Sequence, residues 1–589
     1  MTRSTHDARP RAAWTPSSAK PPRAARLMRA SWRGLPAARH KAGVERGLAV
    51  PAADGSPLLT DHYFPRAEGD FPTLLVRTPY GRGVPWSPQY GILFAEQGFH
   101  VVLQSCRGTG GAGGAGGGFH LWRNEPADGL AAVGWLREQP WFDGRLGTVG
   151  PSYLGYVQWA LALDPPPELK AMVVQVGLHD PYALFHTDGV LNLETALAVG
   201  AGMTYQHRGM GAFIRATLRL QRRLRSAVTA RPLRGAYADA LGGEIPWLDE
   251  VMAHPDPDDP YWEGASPAGV AEGAADRMAE GAADRAPVPT ALVTGRYDAL
   301  VDQTFAQYDR LCRAGGEASL LVGPWTHTSA LQAGWAEVFA ESLAWLRAHL
   351  CDDPSGLRPT PVRVHVGGAE AGVRDLDAWP PEASTASWYP TADGHLTREA
   401  PTDTAPVAAF RHDPDDPVPT LGGALLSRTA GARDNASLEA RADVLTFTGP
   451  ALAKPLTVLG PVSARVSAST DTGHGEVFVR LCDVDPEGRS VNVCDGLARL
   501  RTTGPDPVRV TIPMTPTAHR FAPGHRIRWQ ISPGPHPRYA LNPGTGEPRI
   551  DATEFVPVRV TVHADSELTL SVGRPGKEMR LAPSVSPGW

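Results

Sequence analysis

The chain has few cysteines, no long apolar run and no excess of basic residues. Its five cysteines are scattered over 589 residues without a CxxC or Cys/His spacing, which argues against a zinc site and against a disulfide framework. A reducing compartment fits this pattern best, and we expect a cytoplasmic protein. No segment approaches the run of about 18 apolar residues that spans a membrane. A membrane is therefore not an expected partner. The 57 basic and 62 acidic residues give a formal net charge of -5, so nucleic acid is not an expected partner either.

The region from residue 44 to residue 182 alternates short apolar runs with helix-like stretches. The runs are almost continuously apolar, which is typical of strands covered on both faces. They are PTLLVRTPY (72–80), HVVLQSCRG (100–108), RLGTVG (145–150) and LKAMVVQVG (169–177). A helix is predicted over 124–140, which begins with an asparagine cap and a proline. Strands and helices in alternation predict an α/β core with a parallel sheet.

The rest of the chain divides into three further segments. Residues 183–286 are rich in helix formers, including FIRATLRLQRRLRSAV (213–228), and predict a helical cap inserted into the α/β core. Strand-like runs return over 287–355, which we expect to be the second part of that core. Beyond residue 356, short alternating runs separated by Gly, Pro and Asp predict a C-terminal all-β sandwich domain of the jelly-roll kind over 356–589.

The first 43 residues are rich in arginine, and Asp7 is their only carboxylate. They contain no apolar stretch of the length that a secretory signal requires. We therefore expect a disordered basic tail over 1–43. An amphipathic transit peptide is the alternative, although the prolines of the segment interrupt any helix.

The stretch GTVGPSYLGYVQWA (147–160) places Ser152 in a tight turn between a predicted strand and a predicted helix. Gly150 and Gly155 surround the serine as G-x-S-x-x-G, one residue longer than the G-x-S-x-G of a nucleophile elbow. The same spacing by itself usually marks a helix N-cap, so the prediction depends on the strand-turn-helix context. A serine in such a turn presents its hydroxyl above the sheet, where a nucleophile is needed.

A serine nucleophile needs a base to accept its proton and an acid to orient that base. In this fold class the chain order is Ser, then Asp or Glu, then His, each in a loop after a strand. Asp298 ends the run VPTALVTGRYD and His327 ends the run ASLLVGPWTH. Taken singly, Asp298 could cap the next helix and His327 could be a hydrogen-bonded loop residue. Three matches in the expected order, each at a strand end, predict a catalytic triad.

Acyl transfer also requires hydrogen-bond donors for the developing oxyanion. The residue after the nucleophile usually supplies its backbone N–H, which here belongs to Tyr153. Tyr80 follows the first predicted strand, in the region that supplies the second donor, and it carries a phenolic hydroxyl. From position alone, a half-buried aromatic side chain is the simpler interpretation of Tyr80.

A series of motifs runs in a fixed order from about residue 44 to the C-terminus. They are LLVRTPYGRG, RGTGGAGGAGGGF, PWFDGRLGTVGPSYLGYVQWALA, HPDPDDPYW, TGRYDALV, GPWTH, FVRLCDVDPEGRSVNVCDGLARLR and FAPGHRIRWQIS. Together they resemble the cocaine-esterase-like branch of the Xaa-Pro dipeptidyl-peptidase family of α/β-hydrolase serine hydrolases.

This resemblance implies an α/β-hydrolase core, a helical cap inserted before the acid, and a jelly-roll domain that helps to wall the active site. It implies Ser152 as nucleophile, Asp298 as acid and His327 as base. In this family a tyrosine hydroxyl joins the N–H after the serine in the oxyanion hole. Tyr80 and Tyr153 occupy the matching positions, so the resemblance favours a catalytic Tyr80 over the simpler interpretation.

The chain departs from the family where Gln104, Ser105 and Cys106 precede Arg-Gly, because the family usually has Gln-Asp-x-Arg-Gly there. The change removes a carboxylate near a strand end, which affects the expected local stability and the shape of the cleft. The glycine-rich run that follows has no Gly-Lys-Ser/Thr after it, so it does not predict a nucleotide site.

The sequence therefore predicts a serine hydrolase without cofactor or metal, which cleaves small-molecule esters or amides through an acyl-enzyme. One alternative is an Xaa-Pro dipeptidyl-peptidase or acylase on aminoacyl substrates, which would need a cap carboxylate such as Glu194, Asp249 or Glu250 for the substrate ammonium group. Another is a catalytically silent binding protein on the same fold. The β domain also offers a sheet surface for a homodimer.

Overall fold

The computed structural model describes residues 23–110, 119–205, 226–241, 243–266, 287–368, 372–501 and 506–573. Most of the predicted helix at 213–228 and most of the glycine-rich run lie outside these residues. The chain forms two compact units, Met1–Val173 with Phe339–Leu357 and Val174–Val338 with Arg358–Trp589. These limits differ from the predicted segments 44–182 and 183–286, whose boundaries stay a prediction.

Five strands of the first unit form one sheet. In chain order they are β1 (Ala42–Pro51), β2 (Pro57–Pro65), β3 (Thr73–Thr78), β4 (His100–Ser105) and β5 (Leu146–Ser152). β2 pairs antiparallel with β1 and with β4, whereas β3 pairs in parallel with β4 and β5. The order across the sheet is therefore β1-β2-β4-β3-β5. Every residue of β3 and β4 is buried, which confirms the prediction of strands covered on both faces.

The helices of the first unit are α1 (Arg23–Ser31), α2 (Leu93–Glu96), α3 (Glu125–Arg137) and α4 (Tyr153–Ala162). A π-helical turn at Ser87–Ile92 precedes α2. α3 confirms the helix predicted over 124–140, although the Asn124 side chain makes no capping hydrogen bond. All residues of α4 are buried, so this helix is part of the core that supports the Ser152 turn.

The prediction of a disordered tail over 1–43 is wrong for the nine residues of α1. The Arg29 guanidinium Nε donates to Glu96 Oε2 at 2.9 Å, and Ala25 is fully buried. An ion pair and packing from distant residues therefore support this helix, and the local composition of the tail does not indicate them.

The second unit begins within β6 (Leu169–Gly177) and continues with the cap. The described cap elements are α5 (Pro181–Phe185), β7 (His186–Thr187), β8 (Val190–Leu191), α6 (Leu193–Tyr205), α7 (Ala236–Leu241), α8 (Pro246–Ala253) and a 3-10 turn at Pro260–Trp262. Helices predominate, as predicted. The antiparallel hairpin of β7 and β8 was not predicted.

The α/β elements after the cap are β9 (Thr290–Tyr297), α9 (Val301–Arg313), β10 (Ala318–Thr326), α10 (His327–Ala330) and α11 (Trp335–Leu350). β9 and β10 are parallel neighbours, and β10 pairs in parallel with β11 (Val362–Gly368). The carboxyl ends of β9 and β10 therefore lie at the same edge, where ligands bind in α/β sheets.

The C-terminal region is an all-β sandwich, as predicted. Its further elements are β12 (Gly372–Leu376), β13 (Ala383–Pro390), β14 (Leu396–Thr397), β15 (Pro406–His412), α12 (Ala436–Glu439), β16 (Leu445–Thr448), β17 (Leu456–Thr470), β18 (His474–Val484), β19 (Ser490–Arg501), β20 (Val508–Phe521), β21 (Arg526–Ser532), β22 (Val558–His563) and β23 (Glu567–Gly573). One antiparallel sheet has the order β16-β21-β18-β19, and β17 pairs antiparallel with β20, β22 and β23 in the other. Both sheets contribute to one core, which includes Val466 and Ile512 from one sheet and Val479 and Trp529 from the other.

Among the described residues, no helix combines the length and the apolar character that a membrane crossing demands.

Two buried histidines of the first unit make its stability sensitive to acid. His62 Nε2 lies 2.9 Å from His100 Nδ1, and both rings stack on Trp141. Burial, followed by the neighbouring His62, lowers the pKa of His100 to about 3 from its ordinary value of 6.5. Between these values the unfolded chain binds a proton that the folded chain excludes, so stability is complete above about pH 6.5 and is lost as the pH falls.

We therefore expect the free energy of unfolding to fall by about 2 kcal/mol between pH 6.5 and pH 4.5 through His100 alone. Urea unfolding of the wild-type chain and of His100→Gln across this range measures the difference. The wild-type protein should lose more stability than the variant. Parallel pH profiles of the two proteins would contradict the assignment.

Candidate active site

Ser152 is the last residue of β5 and directly precedes α4. Its backbone has φ 57° and ψ -123°, a conformation that a non-glycine residue adopts only under constraint. A Cβ at Gly150 would lie 2.5 Å from Leu154 Cβ, so glycine allows the chain to fold back closely at this turn. The sharp strand-to-helix turn has the backbone geometry that a nucleophile elbow requires.

Tyr80 lies beside Ser152 in the first unit. Its hydroxyl oxygen is 3.2 Å from Ser152 Oγ, and its backbone N–H donates to Thr78 Oγ1 at the end of β3. Burial raises the pKa of the Tyr80 phenol, and hydrogen bonds with Ser152 and the Tyr153 backbone act in the opposite direction. The phenol therefore keeps its proton at neutral pH and can donate it in a hydrogen bond. The structure brings Tyr80, Ser152 and the Tyr153 N–H together, as the sequence predicts.

Asp298 and His327 form a hydrogen-bonded pair in the second unit. Asp298 follows β9 and is fully buried, and His327 follows β10. Their Oδ1 and Nδ1 atoms are 2.7 Å apart. A carboxylate at this distance holds the proton on Nδ1, which leaves Nε2 as the basic nitrogen of the ring.

Further hydrogen bonds hold this pair in place. Thr294 Oγ1 donates to Asp298 Oδ2 at 2.9 Å, and the Leu300 N–H donates to Asp298 Oδ1 at 3.2 Å. The bond to Leu300 shows that Asp298 also stabilises the turn before α9. Thr326 and Ser329 form a capping box that fixes the start of α10, where His327 is the first residue.

Comparison with known proteins identifies the family. The sequence model of the X-Pro dipeptidyl-peptidase (S15) family matches residues 54–329, and that of the X-Pro dipeptidyl-peptidase C-terminal non-catalytic domain matches residues 356–572. Cocaine esterase of Rhodococcus sp. (strain MB1 Bresler) is 30% identical over 554 residues, which cover 85% of this chain and 93% of the relative. The chain belongs to the S15 family. It is a serine hydrolase, as the sequence predicts.

Solved structures support the fold of this S15 family member. An aminopeptidase from a Thaumarchaeota archaeon has a TM-score of 0.74 at 22% identity, over 92% of this chain and 98% of the other. An alpha-amino acid ester hydrolase has the same TM-score at 20% identity, over 92% of this chain and 99% of the other. The α/β-hydrolase core and the C-terminal all-β domain thus agree with the predicted fold class.

The serine at position 105, where the S15 family usually has aspartate, lies at the end of β4. Arg82 Nη1 donates to Ser105 Oγ at 2.5 Å, and Arg82 Nε donates to Asp61 Oδ1 at 3.2 Å. Asp61 on β2 thus supplies a carboxylate to this arginine while Ser105 supplies a hydroxyl. The substitution leaves the arginine hydrogen-bonded and charge-paired.

The three cap acids of the aminoacyl alternative differ in burial. Glu250 is exposed, and Asp249 is half-buried. Glu194, at the start of α6, is also half-buried, and its Oε2 atom is buried without a hydrogen-bond partner within the described ranges. Burial raises the pKa of Glu194. Of the three, Glu194 is therefore the acid whose environment is least typical of a solvated surface carboxylate.

The part of the chain that the structure describes contains no cluster of three or more His, Cys, Asp or Glu side chains suited to a metal ion.

The sequence did not predict a role for Arg77 and Glu125, which form a buried ion pair behind the Ser152 turn. The sequence indicated Glu125 only as part of a helix start, and no local motif connects it to Ser152.

Proposed function

We propose that this S15 family hydrolase cleaves carboxylic esters through an acyl-enzyme on Ser152. The observation that carries the proposal is the strained Ser152 turn with the Tyr80 hydroxyl 3.2 Å from Ser152 Oγ. The hydrogen-bonded Asp298 and His327 supply the other groups that serine chemistry requires. The similarity to a relative named cocaine esterase, at 30% identity, favours an ester over an amide.

In the proposed reaction, Ser152 Oγ attacks the ester carbonyl while His327 Nε2 accepts the hydroxyl proton. The Tyr80 O–H and the Tyr153 N–H donate hydrogen bonds to the oxyanion of the tetrahedral intermediate. His327 then donates its proton to the leaving alcohol. Water attacks the acyl-enzyme with His327 again as base, which releases the acid and restores Ser152. Asp298 keeps the imidazole oriented throughout.

The function is tested with chromogenic substrates of both classes. p-Nitrophenyl butyrate and p-nitrophenyl benzoate represent esters, whereas alanine p-nitroanilide and Gly-Pro p-nitroanilide represent aminoacyl amides. We expect turnover of at least one ester with a kcat/KM well above that of either anilide. Turnover of the anilides alone would overturn the ester assignment, and no turnover of any acyl substrate by the folded protein would favour the silent binding protein.

The aminoacyl alternative is supported by Glu194, whose buried Oε2 lacks a hydrogen-bond partner within the described ranges. If Glu194 binds a substrate ammonium group, Glu194→Gln raises KM for the aminoacyl anilides and leaves KM for p-nitrophenyl butyrate unchanged. A substrate without an amine thus serves as the internal control.

Tyr80→Phe is expected to reduce kcat/KM for esters by about 100-fold, equivalent to about 3 kcal/mol, because it removes one oxyanion donor. The ring remains, so its stacking on Trp86 and the fold should be retained. Steady-state kinetics with p-nitrophenyl butyrate measures the loss, and circular dichroism checks the fold. A variant with wild-type activity would remove Tyr80 from the mechanism.

The compartment and the partners also belong to this proposal. All five cysteines are free thiols, which supports the cytoplasm as the compartment. A small-molecule ester is the proposed partner of the site, and a homodimer through the β domain remains a prediction that size-exclusion chromatography with light scattering would test.

A further inference from the structure

A chain of buried polar side chains lies behind the Ser152 turn and takes no direct part in the proposed chemistry. The Tyr153 hydroxyl donates to Glu125 Oε1 at 3.1 Å and accepts from the Trp122 N–H at 3.0 Å. The Arg77 guanidinium Nη1 is 2.8 Å from Glu125 Oε2. Tyr153, Glu125 and Arg77 are each less than 5% exposed. The sequence brings these groups together from β3, α3 and α4.

The Tyr153 side chain connects two strained backbone positions. Ser152 has φ 57° and Trp122 has φ 59°, and both are non-glycine residues with positive φ. Such conformations persist only where surrounding contacts hold them. Tyr153 follows Ser152 directly, and its hydroxyl holds the Trp122 N–H. One phenol thus links the Ser152 turn to the backbone at Trp122, before α3.

Arg77 connects the ion pair to the strand that leads to Tyr80. It lies on β3, where its Nε donates to Gln104 Oε1 at 3.0 Å and its Nη1 donates to the Glu125 backbone oxygen at 3.0 Å. The next residue, Thr78, accepts a hydrogen bond from the Tyr80 N–H. Of the two proposed oxyanion donors, Tyr153 is therefore hydrogen-bonded to Glu125, and Tyr80 is connected through Thr78 to Arg77.

The protonation states suit this arrangement. Burial, together with the charge of Glu125, holds the pKa of the Tyr153 phenol well above its ordinary value. The phenol therefore remains a hydrogen-bond donor to Glu125 at any pH at which the protein works. A buried charge that loses its partner strongly destabilises the folded protein, so Arg77 and Glu125 hold each other in place.

We propose that the Tyr153 side chain, Glu125 and Arg77 form a clamp that holds the Ser152 turn in its strained conformation and aligns the two oxyanion donors. Glu125 and Arg77 are positioning residues, because they act through Tyr153 and Tyr80 and touch no reacting atom. The inference rests on the proposed function, because the proposed acyl transfer forms the oxyanion that the two donors stabilise. A purely structural network would instead contribute to stability alone.

Tyr153→Phe tests the clamp because it removes one hydroxyl and retains the ring and the backbone N–H. We expect kcat for p-nitrophenyl butyrate to fall about 10- to 100-fold, because small misplacements of catalytic groups have effects of this size, while KM changes little. Labelling of Ser152 by a fluorophosphonate should slow by a similar factor. Tyr63→Phe removes another buried phenolic hydroxyl of the same unit and should leave both rates within about twofold of wild type, as substitutions away from the site usually do.

Glu125→Gln provides a second, independent test. It keeps an acceptor oxygen for the Tyr153 phenol but removes the charge that faces Arg77. We expect a loss of kcat here as well. The double variant with Tyr153→Phe should lose less than the product of the two single losses, because the two changes remove neighbouring contacts of the same Glu125 carboxylate. If Tyr153→Phe does not fold, the kcat and KM of Glu125→Gln decide the matter.

The outcomes separate the clamp from the proposed function. Wild-type kcat and wild-type labelling of Tyr153→Phe, accompanied by a lower melting temperature, would make the network structural and overturn the clamp alone. A wild-type protein that is neither labelled on Ser152 nor active on esters would overturn the proposed function, and the clamp with it. Slower chemistry at an unchanged KM, with Tyr63→Phe unaffected, would support both.

Discussion

Replacing Ser152 with alanine is expected to abolish ester turnover and leave the fold intact. Alanine retains the Cβ of serine, so the strained backbone at φ 57° meets no new contact, and only the hydroxyl is lost. Without a nucleophile no acyl-enzyme forms, and the loss in kcat should be at least about 10^4-fold. Residual binding and oxyanion stabilisation account for whatever activity remains.

The measurement is kcat/KM with p-nitrophenyl butyrate, together with the melting temperature of each protein. Ser87→Ala is the control, because Ser87 is a buried serine of the same unit that lies in the π-helical turn. It should retain activity within about threefold, as substitutions away from the site usually do. More than a small percentage of wild-type turnover in a folded Ser152→Ala protein would remove Ser152 from the mechanism.

Asp298→Asn is expected to reduce kcat by about 10^4-fold, because the carboxylate that holds the His327 proton on Nδ1 is lost. An asparagine at this position can turn an N–H towards Nδ1, which moves the ring proton to Nε2 and blocks the base. Thr294 Oγ1 can still donate to the amide oxygen, so the side chain keeps part of its environment. The Leu300 N–H loses its acceptor in this orientation, so the melting temperature of the variant is measured beside kcat to separate the effect on the tautomer from the effect on the turn.

Asp302→Asn is the matched control for this prediction. Asp302 lies in the first turn of α9, just after Asp298 in the chain, and accepts a hydrogen bond from Thr515 Oγ1. Both substitutions neutralise a carboxylate of the same segment, so a large loss confined to Asp298→Asn identifies the contact with His327 as the cause. Equal losses in the two variants, or activity within tenfold of wild type in Asp298→Asn, would contradict the assigned role.

Much of the fold was predictable because its strands are apolar and are separated by residues that favour turns. β3, β4 and β5 lie where the apolar runs predicted them, and Ser152, Asp298 and His327 follow strand ends in the predicted order. The Asp298 and His327 pairing followed from chemistry, because a serine base requires an acid partner.

What the sequence did not show depends on contacts between distant residues. α1 pairs Arg29 with Glu96, 67 positions later, and nothing in the composition of the tail indicates that partner. β7 and β8 are two residues each, which is too short for a periodic pattern. Likewise, the hydrogen bond between Tyr153 and Glu125 spans 28 positions, so neither the motif around Ser152 nor the predicted helix start contains both residues.

Covalent labelling shows directly whether Ser152 is an activated nucleophile. The wild-type protein and Ser152→Ala are treated with a fluorophosphonate probe, digested, and mapped by peptide mass spectrometry. We expect one adduct, on Ser152, which is absent from the variant. An adduct on a different serine, or none on a folded protein that hydrolyses esters, would contradict it.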